Sequence, residues 1–585
     1  MKRNGKYTLN RLHVTSLLLF ISIILTFAGC GGGDDQDDDS PSSSATYTIS
    51  GVAAAGAPII GTVTIKDSTG TEKVTTIEAD GSYSIDVSDL TAPFALRADG
   101  YVGGSEYHLY SAALSADLNG TINITPFTDL IIANMAGEIA ANYYDNSEFA
   151  NMTASELEAA EAALQAKLQP ILTAIGLEDA IDLLRTSFDT DHTGLDAVID
   201  VVKVTIDPDT VEATLTNILN NETVVVDIAD GGTSADTFDS TGVTAGITDL
   251  QAMVSVWNTF TALFATSVPA YDNAQLVALF DEDNFLDDGV GLTQWLTEIT
   301  SDSSMIGTSF SNFVLISLDT EAGTADVSFN IVNSDGTTDE GSGVCRMIKQ
   351  TDGTWRYAGN QRIAHVRIRS EAQYFPYNTD TQIRTGLNIT IEANNPAGTE
   401  VQSAVVSGPG LPTDGVVLNK QDNYDWFALS GTEENLYSIT DENTIDEIIE
   451  NSEYTISLYD DADGAGNLLD TYTETVLKGP VKLSSLSSAS FPTVTAPSVA
   501  DLEVFSSGSL TVTWTTPTGL SSHWLELVLS NSDQTNSAVY EEDVSETTTT
   551  KTLTVDDSLG FTVANRSLFV QARDEYNRRF LIGIW

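Results

Sequence analysis

The sequence predicts a multidomain, mainly β protein built from antiparallel β-sandwiches, with a helical insert and one α+β cone domain. Three observations lead to this prediction. The chain has 585 residues, more than one hydrophobic core usually serves. Much of it alternates apolar and polar residues in short runs between Gly, Asp and Asn turns, as antiparallel strands do. Two stretches have helical spacing instead, and the second of them is followed by further strands.

Acidic residues dominate the charged positions. The chain has 84 Asp and Glu against 25 Lys and Arg, a formal net charge of −59. This charge repels nucleic acid phosphates and anionic lipid headgroups, so we expect no nucleic acid partner. It favours a solvated surface and is compatible with binding of divalent cations or basic partners.

The N-terminus, residues 1–29, has the features of a secretory signal peptide. Basic residues precede the apolar run LLLFISIILTF (17–27), which is short for a transmembrane helix. A small Ala-Gly pair then stands directly before Cys30. This stretch resembles the lipobox of bacterial lipoproteins, although Phe27 stands where the family usually has Leu. The resemblance implies cleavage before Cys30, lipidation of its thiol and acylation of the new amine.

The composition of residues 30–45 predicts a flexible acidic tether, because a stretch rich in Gly, Asp and Ser cannot form a hydrophobic core. We therefore expect a cell-envelope protein whose membrane partner is reached through the lipid anchor. Gly31, rather than Asp, follows the cysteine, and by analogy with enterobacterial sorting this favours the outer membrane. The periplasmic face and the cell surface both remain open. The other cysteine, Cys345, lies in an alternating stretch and is expected to be a buried strand residue.

Residues 46–115 have the alternation of a β-sandwich. The Gly-Ala-Pro turn at 56–58 and the later DGSYSI segment (80–85) resemble the carboxypeptidase regulatory-like, transthyretin-like domain. That family is structural or adhesive, so the resemblance implies no catalytic residues.

Residues 116–245 predict a helical insert with a small sheet. Thr153 or Ser155 is expected to cap a helix over 152–176, and Pro170 is expected to break or kink it.

Residues 246–375 predict the α+β cone domain, since a long amphipathic helix and shorter helices precede several strands. The segment KQTDGTWRY (349–357) resembles the nuclear-transport-factor-2-like fold shared with ketosteroid isomerases and polyketide cyclases. Isomerases of that family need a carboxylate base beside hydrogen-bond donors. The acids at 281–283 have no spacing that directs them into one cavity. We therefore favour a non-catalytic domain, with an enzyme or small-molecule binder as the alternative.

Two further β-sandwiches are predicted, over residues 376–490 and 491–585. The second resembles a fibronectin type III module, because SLTVTWTTP (509–517) matches the strand that carries a buried Trp, here Trp514. The usual tyrosine-corner position is not clearly filled.

The segment FDTDHTGLDAVID (188–200) is the sharpest polar cluster. Its oxygen-bearing residues have the spacing of an EF-hand or dockerin calcium loop, with Gly194 at the sixth position. Asp196 equally fits the first turn of a following helix. Calcium is thus a possible cofactor, and its candidate ligands are Asp189, Asp191, Thr193, Asp196 and Asp200.

The sequence contains no serine-hydrolase, zinc-protease, nucleotide-binding or dinucleotide-binding motif, and its histidines are scattered singly. We predict no catalytic residues. The favoured function is a membrane-anchored array of modules that binds protein or glycan in adhesion. The alternatives are the cone-domain enzyme or binder and a periplasmic scaffold of an envelope complex.

Overall fold

A computed structural model describes most of the chain after the predicted tether. The signal peptide, Cys30 and the tether lie outside the described residues. Contacts divide the described residues into an N-terminal unit, 46–265 with 308–357, and a C-terminal unit, 266–307 with 358–584. Strands make up 39% of the described residues and helices 22%, so the predicted mainly β fold class is confirmed. The described residues are 46–584 without 103–104, 147, 178–180, 335–342, 378–382, 394–399 and 422–425.

The N-terminal unit begins with two antiparallel sheets. One pairs the first strand with the fourth, and the other has the strand order 3-2-5-6. Alternate residues such as Val63, Ile65 and Leu96 are fully buried between them, as the period of two requires. The strands are β1 (Thr48–Val52), β2 (Ile60–Asp67), β3 (Glu72–Thr76), β4 (Ser82–Asp86), β5 (Phe94–Val102) and β6 (Ser105–Ala113).

Helices and a three-stranded sheet follow. The predicted cap is confirmed: Thr153 Oγ1 accepts from the Glu156 amide, and Glu156 Oε2 accepts from the Thr153 amide. The expected break at Pro170 is absent, since the helix continues to Ala174. Proline removes one backbone hydrogen bond, but buried side chains before and after Pro170 keep this part of the helix packed against the unit. The elements are α1 (Pro126–Ala136), α2 (Ala140–Asp145), α3 (Ala154–Ala174), α4 (Gly194–Val201), β7 (Val202–Asp207), β8 (Glu212–Asn217) and β9 (Glu222–Asp227).

A long helix and a four-stranded antiparallel sheet complete the N-terminal unit. The helix contacts the sheet through aromatic side chains, because its apolar stripe faces inward. Cys345 is a buried strand residue, as predicted, and accepts a hydrogen bond from Tyr357 Oη at 3.4 Å. The elements are α5 (Val243–Phe264), β10 (Ser309–Asp319), β11 (Thr324–Val332), β12 (Cys345–Lys349) and β13 (Trp355–Tyr357).

The C-terminal unit starts with short helices and a sandwich. A five-stranded sheet packs against the first part of a seven-stranded sheet through a core of aliphatic residues that includes Ile389 and Ile456. The elements are α6 (Ala274–Val277), α7 (Leu292–Ser301), β14 (His365–Tyr374), β15 (Ile383–Glu392), β16 (Ser403–Ser407), β17 (Val416–Lys420), β18 (Phe427–Leu429), β19 (Leu436–Ser438), α8 (Glu442–Asp446), β20 (Ser452–Tyr459) and β21 (Leu468–Val476).

The last part of the C-terminal unit is a second sandwich. Its three-stranded sheet has the order 22-23-26, and the facing strands have the order 25-24-27-28. This is the arrangement of a fibronectin type III-like sandwich, with Trp514 fully buried between the sheets. The elements are β22 (Thr493–Ala496), α9 (Val499–Val504), β23 (Gly508–Thr515), β24 (Ser521–Ser530), β25 (Ser537–Asp543), β26 (Thr550–Val555), β27 (Asn565–Arg573) and β28 (Arg579–Ile584).

The two sandwiches of the C-terminal unit share one sheet. Residues 371–374 of β14 pair in parallel with residues 579–582 of β28, and the seven-stranded order is 19-15-14-28-27-24-25. The predicted domain boundaries remain predictions. The contacts assign α5 and β10–β13 of the predicted cone to the N-terminal unit, and they assign α6, α7 and β14 to the C-terminal unit. Among the described residues, no helix is long and apolar enough to span a bilayer.

Glu161 on α3 makes the stability of the N-terminal unit depend on pH. Its side chain is 6% exposed, and Oε1 accepts a hydrogen bond from the Leu183 amide at 2.6 Å. Burial, and then the charge of Asp182, raise its pKa to about 7. A carboxyl group whose pKa is higher in the folded state stabilises the fold at low pH, and this contribution is lost as the pH rises through about 7.

We expect Glu161→Gln to lose less stability than the wild type between pH 5 and pH 8, because the amide keeps the acceptor oxygen and carries no charge. Denaturant unfolding at both pH values measures this difference. Glu158→Gln, at an exposed position of the same helix, is the control and should follow the wild type. Equal pH dependence of all three proteins would contradict the prediction.

Candidate functional site

The predicted calcium loop leads directly into α4. Asp191 Oδ1 accepts from the Thr193 amide at 3.0 Å and from its hydroxyl at 2.6 Å, which closes a turn. Thr193 is extended and Gly194 begins the helix. The turn therefore fixes the direction in which α4 enters the unit.

Two acidic side chains of α4 are buried. Asp196 is 0% exposed and Asp200 is 1% exposed. They are four residues apart, so they lie on the same face of the helix. Buried carboxylates are costly unless they are paired, protonated or bound to a cation, and this position therefore requires an explanation.

His192 joins the two acids. Its backbone N–H donates to Asp196 Oδ2 at 2.7 Å, and its Nδ1 lies 2.9 Å from Asp200 Oδ2. Its φ of 61° is in the left-handed region, where histidine is more frequent than most residues. We call these three residues the HDD cluster. One candidate ligand atom from each lies within 4.8 Å of the others.

Four other segments of the N-terminal unit surround the HDD cluster. The Thr190 hydroxyl donates to the Asp80 carbonyl of the first sandwich at 3.1 Å, and Gln251 Nε2 of α5 donates to the His192 carbonyl at 3.3 Å. The Phe313 ring of β10 stands edge-on to the imidazole at 5.8 Å. These contacts place the cluster inside the fold and hold the loop from both sides.

Gly56 closes the fourth side. A Cβ at this position would lie 3.4 Å from Asp200 Oδ1 and 3.2 Å from Lys203 Nζ. The backbone of the first sandwich thus approaches the cluster together with the ammonium group of Lys203.

The electrostatics of the HDD cluster reflect its burial. Burial, and then the charge of Asp200, raise the pKa of Asp196 to about 7. Burial is the largest single effect on His192 and by itself would lower its pKa. The hydrogen bond to Asp200 and the negative charges of the neighbouring aspartates together outweigh burial, and the pKa is raised. Burial also lowers the pKa of Lys203, against the attraction of both carboxylates. The cluster therefore disfavours two free negative charges and favours a nearby positive one.

The structure brings together two of the five predicted calcium ligands. Asp196 and Asp200 lie in the cluster, whereas Asp189, Asp191 and Thr193 are exposed. Asp196 also occupies the first turn of α4, which was the other interpretation of this residue. Sequence reasoning missed His192, although it lies within the motif. The available signal was a histidine at the turn, eight residues before Asp200.

A second group of two aspartates and a histidine lies in the C-terminal unit. Asp287 accepts from the Asn360 amide and from Trp295 Nε1, at 3.1 Å each. Asp288 accepts from Asn360 Nδ2 at 2.8 Å and lies 2.8 Å from His365 Nδ1. All four carboxylate oxygens have a partner, so hydrogen bonding accounts for this group.

The interface of α5 with its sheet is filled by rings. Trp257 lies 4.7 Å from Phe310, 4.3 Å from Phe329 and 4.7 Å from Tyr357, measured between ring centroids. The acids at 281–283 belong to the C-terminal unit. Aromatic rings therefore occupy the contact between this helix and this sheet.

Comparisons with known proteins do not place the chain in a family. No family model and no curated protein matches it. A tetra-tandem repeat of the extending region of a large adhesion protein aligns at 12% identity over 92% of this chain and 98% of that one, with a TM-score of 0.13. The FN1–FN3 domains of chicken CNTN1 align at 11% over 44% and 75%, with a TM-score of 0.12.

A third alignment is to a structure on host cell surface retention of a 1.5-MDa bacterial ice-binding adhesin. The identity is 10% over 45% of this chain and 89% of that one, with a TM-score of 0.13. These TM-scores are too low to establish a common fold or a function for this chain.

We expect Gly56→Ala to destabilise the N-terminal unit by about 2–3 kcal/mol. Alanine at this position must keep a φ of +83°, and its Cβ would press on Lys203 Nζ at 3.2 Å and touch Asp200 Oδ1 at 3.4 Å. Gly70→Ala is the matched control, because its φ is +88° with nothing within 4 Å of the Cβ, and it should cost about 1 kcal/mol. Denaturant unfolding measures both losses. Equal losses would show that the contact at Gly56 contributes nothing.

Proposed function

We propose that this protein is a lipid-anchored cell-envelope protein whose β-sandwich modules bind a protein or glycan ligand in adhesion. The observation that carries the proposal is the C-terminal unit, in which two sandwiches share one seven-stranded sheet. Sandwiches joined through a common sheet form a body with few flexible joints. Because such a body is already ordered, its loops can bind a partner with little further loss of conformational entropy.

The anchor is the second part of the proposal. Cys30 follows a basic and apolar signal-like stretch and precedes an acidic tether of Gly, Asp and Ser. Two or three acyl chains bind a bilayer almost permanently, whereas one chain binds it only marginally. Residues 30–45 would span at most about 55 Å when extended, enough to separate the modules from the lipid headgroups. We place the protein at the outer membrane, on its periplasmic face or at the cell surface.

The surface charge supports the same function. A net charge of −59 keeps the modules soluble beside an anionic membrane and opposes nucleic acid binding. This acidic surface attracts basic regions of a protein. It also does not repel neutral glycans, which bind through stacking and hydrogen bonds. The proposal requires no catalytic residue.

Two alternatives differ in class. A cone-domain enzyme or small-molecule binder needs a hollow between α5 and its sheet, where the structure has packed aromatic rings. A periplasmic scaffold would use the same modules without exposure at the cell surface. We therefore rank adhesion first and scaffolding second.

We expect Cys30→Ala to release the protein from the membrane fraction and to abolish incorporation of radiolabelled palmitate, because the acylated atom is lost. Cys345→Ala is the matched control: it removes the buried cysteine and should leave labelling and fractionation unchanged. Palmitate incorporation into Cys30→Ala at the wild-type level would contradict the anchor.

Surface biotinylation and protease treatment of intact cells then distinguish the cell surface from the periplasmic face of the outer membrane. If neither reagent reaches the wild-type protein, adhesion at the cell surface is excluded and the scaffold becomes the preferred function.

A further inference from the structure

We propose that the HDD cluster, His192, Asp196 and Asp200, binds one divalent first-row transition-metal ion of the zinc type. The site is formed by the turn before α4 and by one face of that helix. It is distinct from the exposed oxygen ligands of the predicted calcium loop, and it does not depend on the binding function proposed above.

The first observation is the unsatisfied carboxylate oxygens. Oδ1 of Asp196 and Oδ1 of Asp200 are both buried, and neither has a hydrogen-bond partner in the part of the chain that the structure describes. Their Oδ2 atoms are engaged by the amide and the ring of His192. A buried carboxylate oxygen without a partner has lost its hydrogen bonds to water and gained none in return. A bound cation supplies the missing interaction.

The group at Asp287, Asp288 and His365 shows what the HDD cluster lacks. There the amide and side chain of Asn360 and the indole of Trp295 satisfy the carboxylates that face them. The same residue types are thus hydrogen-bonded in one unit and left with free oxygens in the other. Burial of aspartates is therefore not a sufficient explanation of the HDD cluster.

The separation of the atoms suits a small ion. Bonds of about 2.0–2.2 Å to imidazole nitrogen and carboxylate oxygen, at tetrahedral angles, place neighbouring ligand atoms about 3.3 Å apart. His192 Nδ1 and Asp200 Oδ2 are 2.9 Å apart, and the three candidate ligand atoms lie within 4.8 Å of one another. The ion would replace the proton between His192 Nδ1 and Asp200 Oδ2, which leaves to solvent, and a water molecule would complete the fourth position.

The donor set selects the class of metal. Imidazole with two carboxylates suits zinc and its neighbours in the first transition row. Calcium takes six to eight oxygen ligands, and here the exposed Asp189 and Asp191 lie outside the ligand group. The charge also fits, since a divalent ion neutralises the two carboxylates that burial destabilises.

Lys203 offers the competing explanation. Its ammonium group and Asp200 Oδ1 both lie near Gly56, so the lysine can offset part of the negative charge without a metal. No ion pair within 4.0 Å joins Lys203 to either aspartate among the described contacts, and burial lowers its pKa. Removing the lysine charge separates the two explanations, because a metal site should then bind its ion at least as tightly.

The decisive experiment is zinc titration of the full chain, purified in detergent and treated with a chelator. Isothermal titration calorimetry should give one tight Zn²⁺ equivalent per chain. His192→Gln and Asp200→Asn should each weaken it by at least about 10-fold, since even the loss of an outer-shell partner has such an effect. Asp191→Asn and His365→Gln are matched controls and should bind as the wild type does. Lys203→Met should bind equally or more tightly.

A second readout covers variants that fold poorly. Added Zn²⁺ should raise the thermal midpoint of the wild type but not that of His192→Gln, and Co²⁺ should give visible bands of a low-coordinate site that the same variant lacks. The proposal is overturned if the wild type binds no tight Zn²⁺ equivalent, or if His192→Gln and Asp200→Asn bind it unchanged. It is also overturned if Ca²⁺ binds more tightly than Zn²⁺ and Asp191→Asn abolishes that binding.

Discussion

The architecture of the C-terminal unit depends on the parallel pairing of β14 with β28. Four residues of each strand meet, at 371–374 and 579–582, about two hundred positions apart in the chain. This pairing merges the edges of two sandwiches into one seven-stranded sheet. It also removes two sheet edges that would otherwise be open to pairing with other chains. The long separation makes closure entropically costly, so it depends on both cores being formed.

The cores on either side of that junction explain why the shared sheet is stable. One core packs Ile389 and Ile456 between five strands and the first part of the sheet. The other packs Trp514 and Val570 between the fibronectin type III-like sheets. Burial of such side chains contributes about 1.5–3 kcal/mol each. The strands that carry the junction are thus fixed by apolar contacts on their own sides of the sheet.

The N-terminal unit has the opposite character at α4, where charged groups are buried together. Asp196 and Asp200 are enclosed by the His192 turn, the Gly56 backbone and the neighbouring helix and strand. Such a position costs stability unless a proton, a lysine or a metal ion compensates it. Groups of this kind are more common at functional sites than in ordinary cores, although structural ion pairs also produce them.

The sequence by itself determined the class of the fold and several local elements. The period of two predicted the strands, the capping signal Thr153 with Glu156 predicted the start of α3, and the alternation around Cys345 predicted a buried strand. These features depend on neighbours in the chain, and local spacing therefore reveals them. The burial of Trp514 was implied by the resemblance of segment 509–517 to a strand of fibronectin type III modules, and the structure confirms it.

Only the tertiary structure decided which of those elements meet. In the structure, α3 continues beyond Pro170 and β14 pairs with β28. The segment predicted as a cone is divided between two units. The tertiary structure also selected His192 with Asp196 and Asp200 from a motif of many oxygen ligands, and left Asp189 and Asp191 exposed. The physical reason is the same in each case. Burial and long-range pairing are properties of surfaces that come together in space, and the spacing of residues along one segment does not specify its partner.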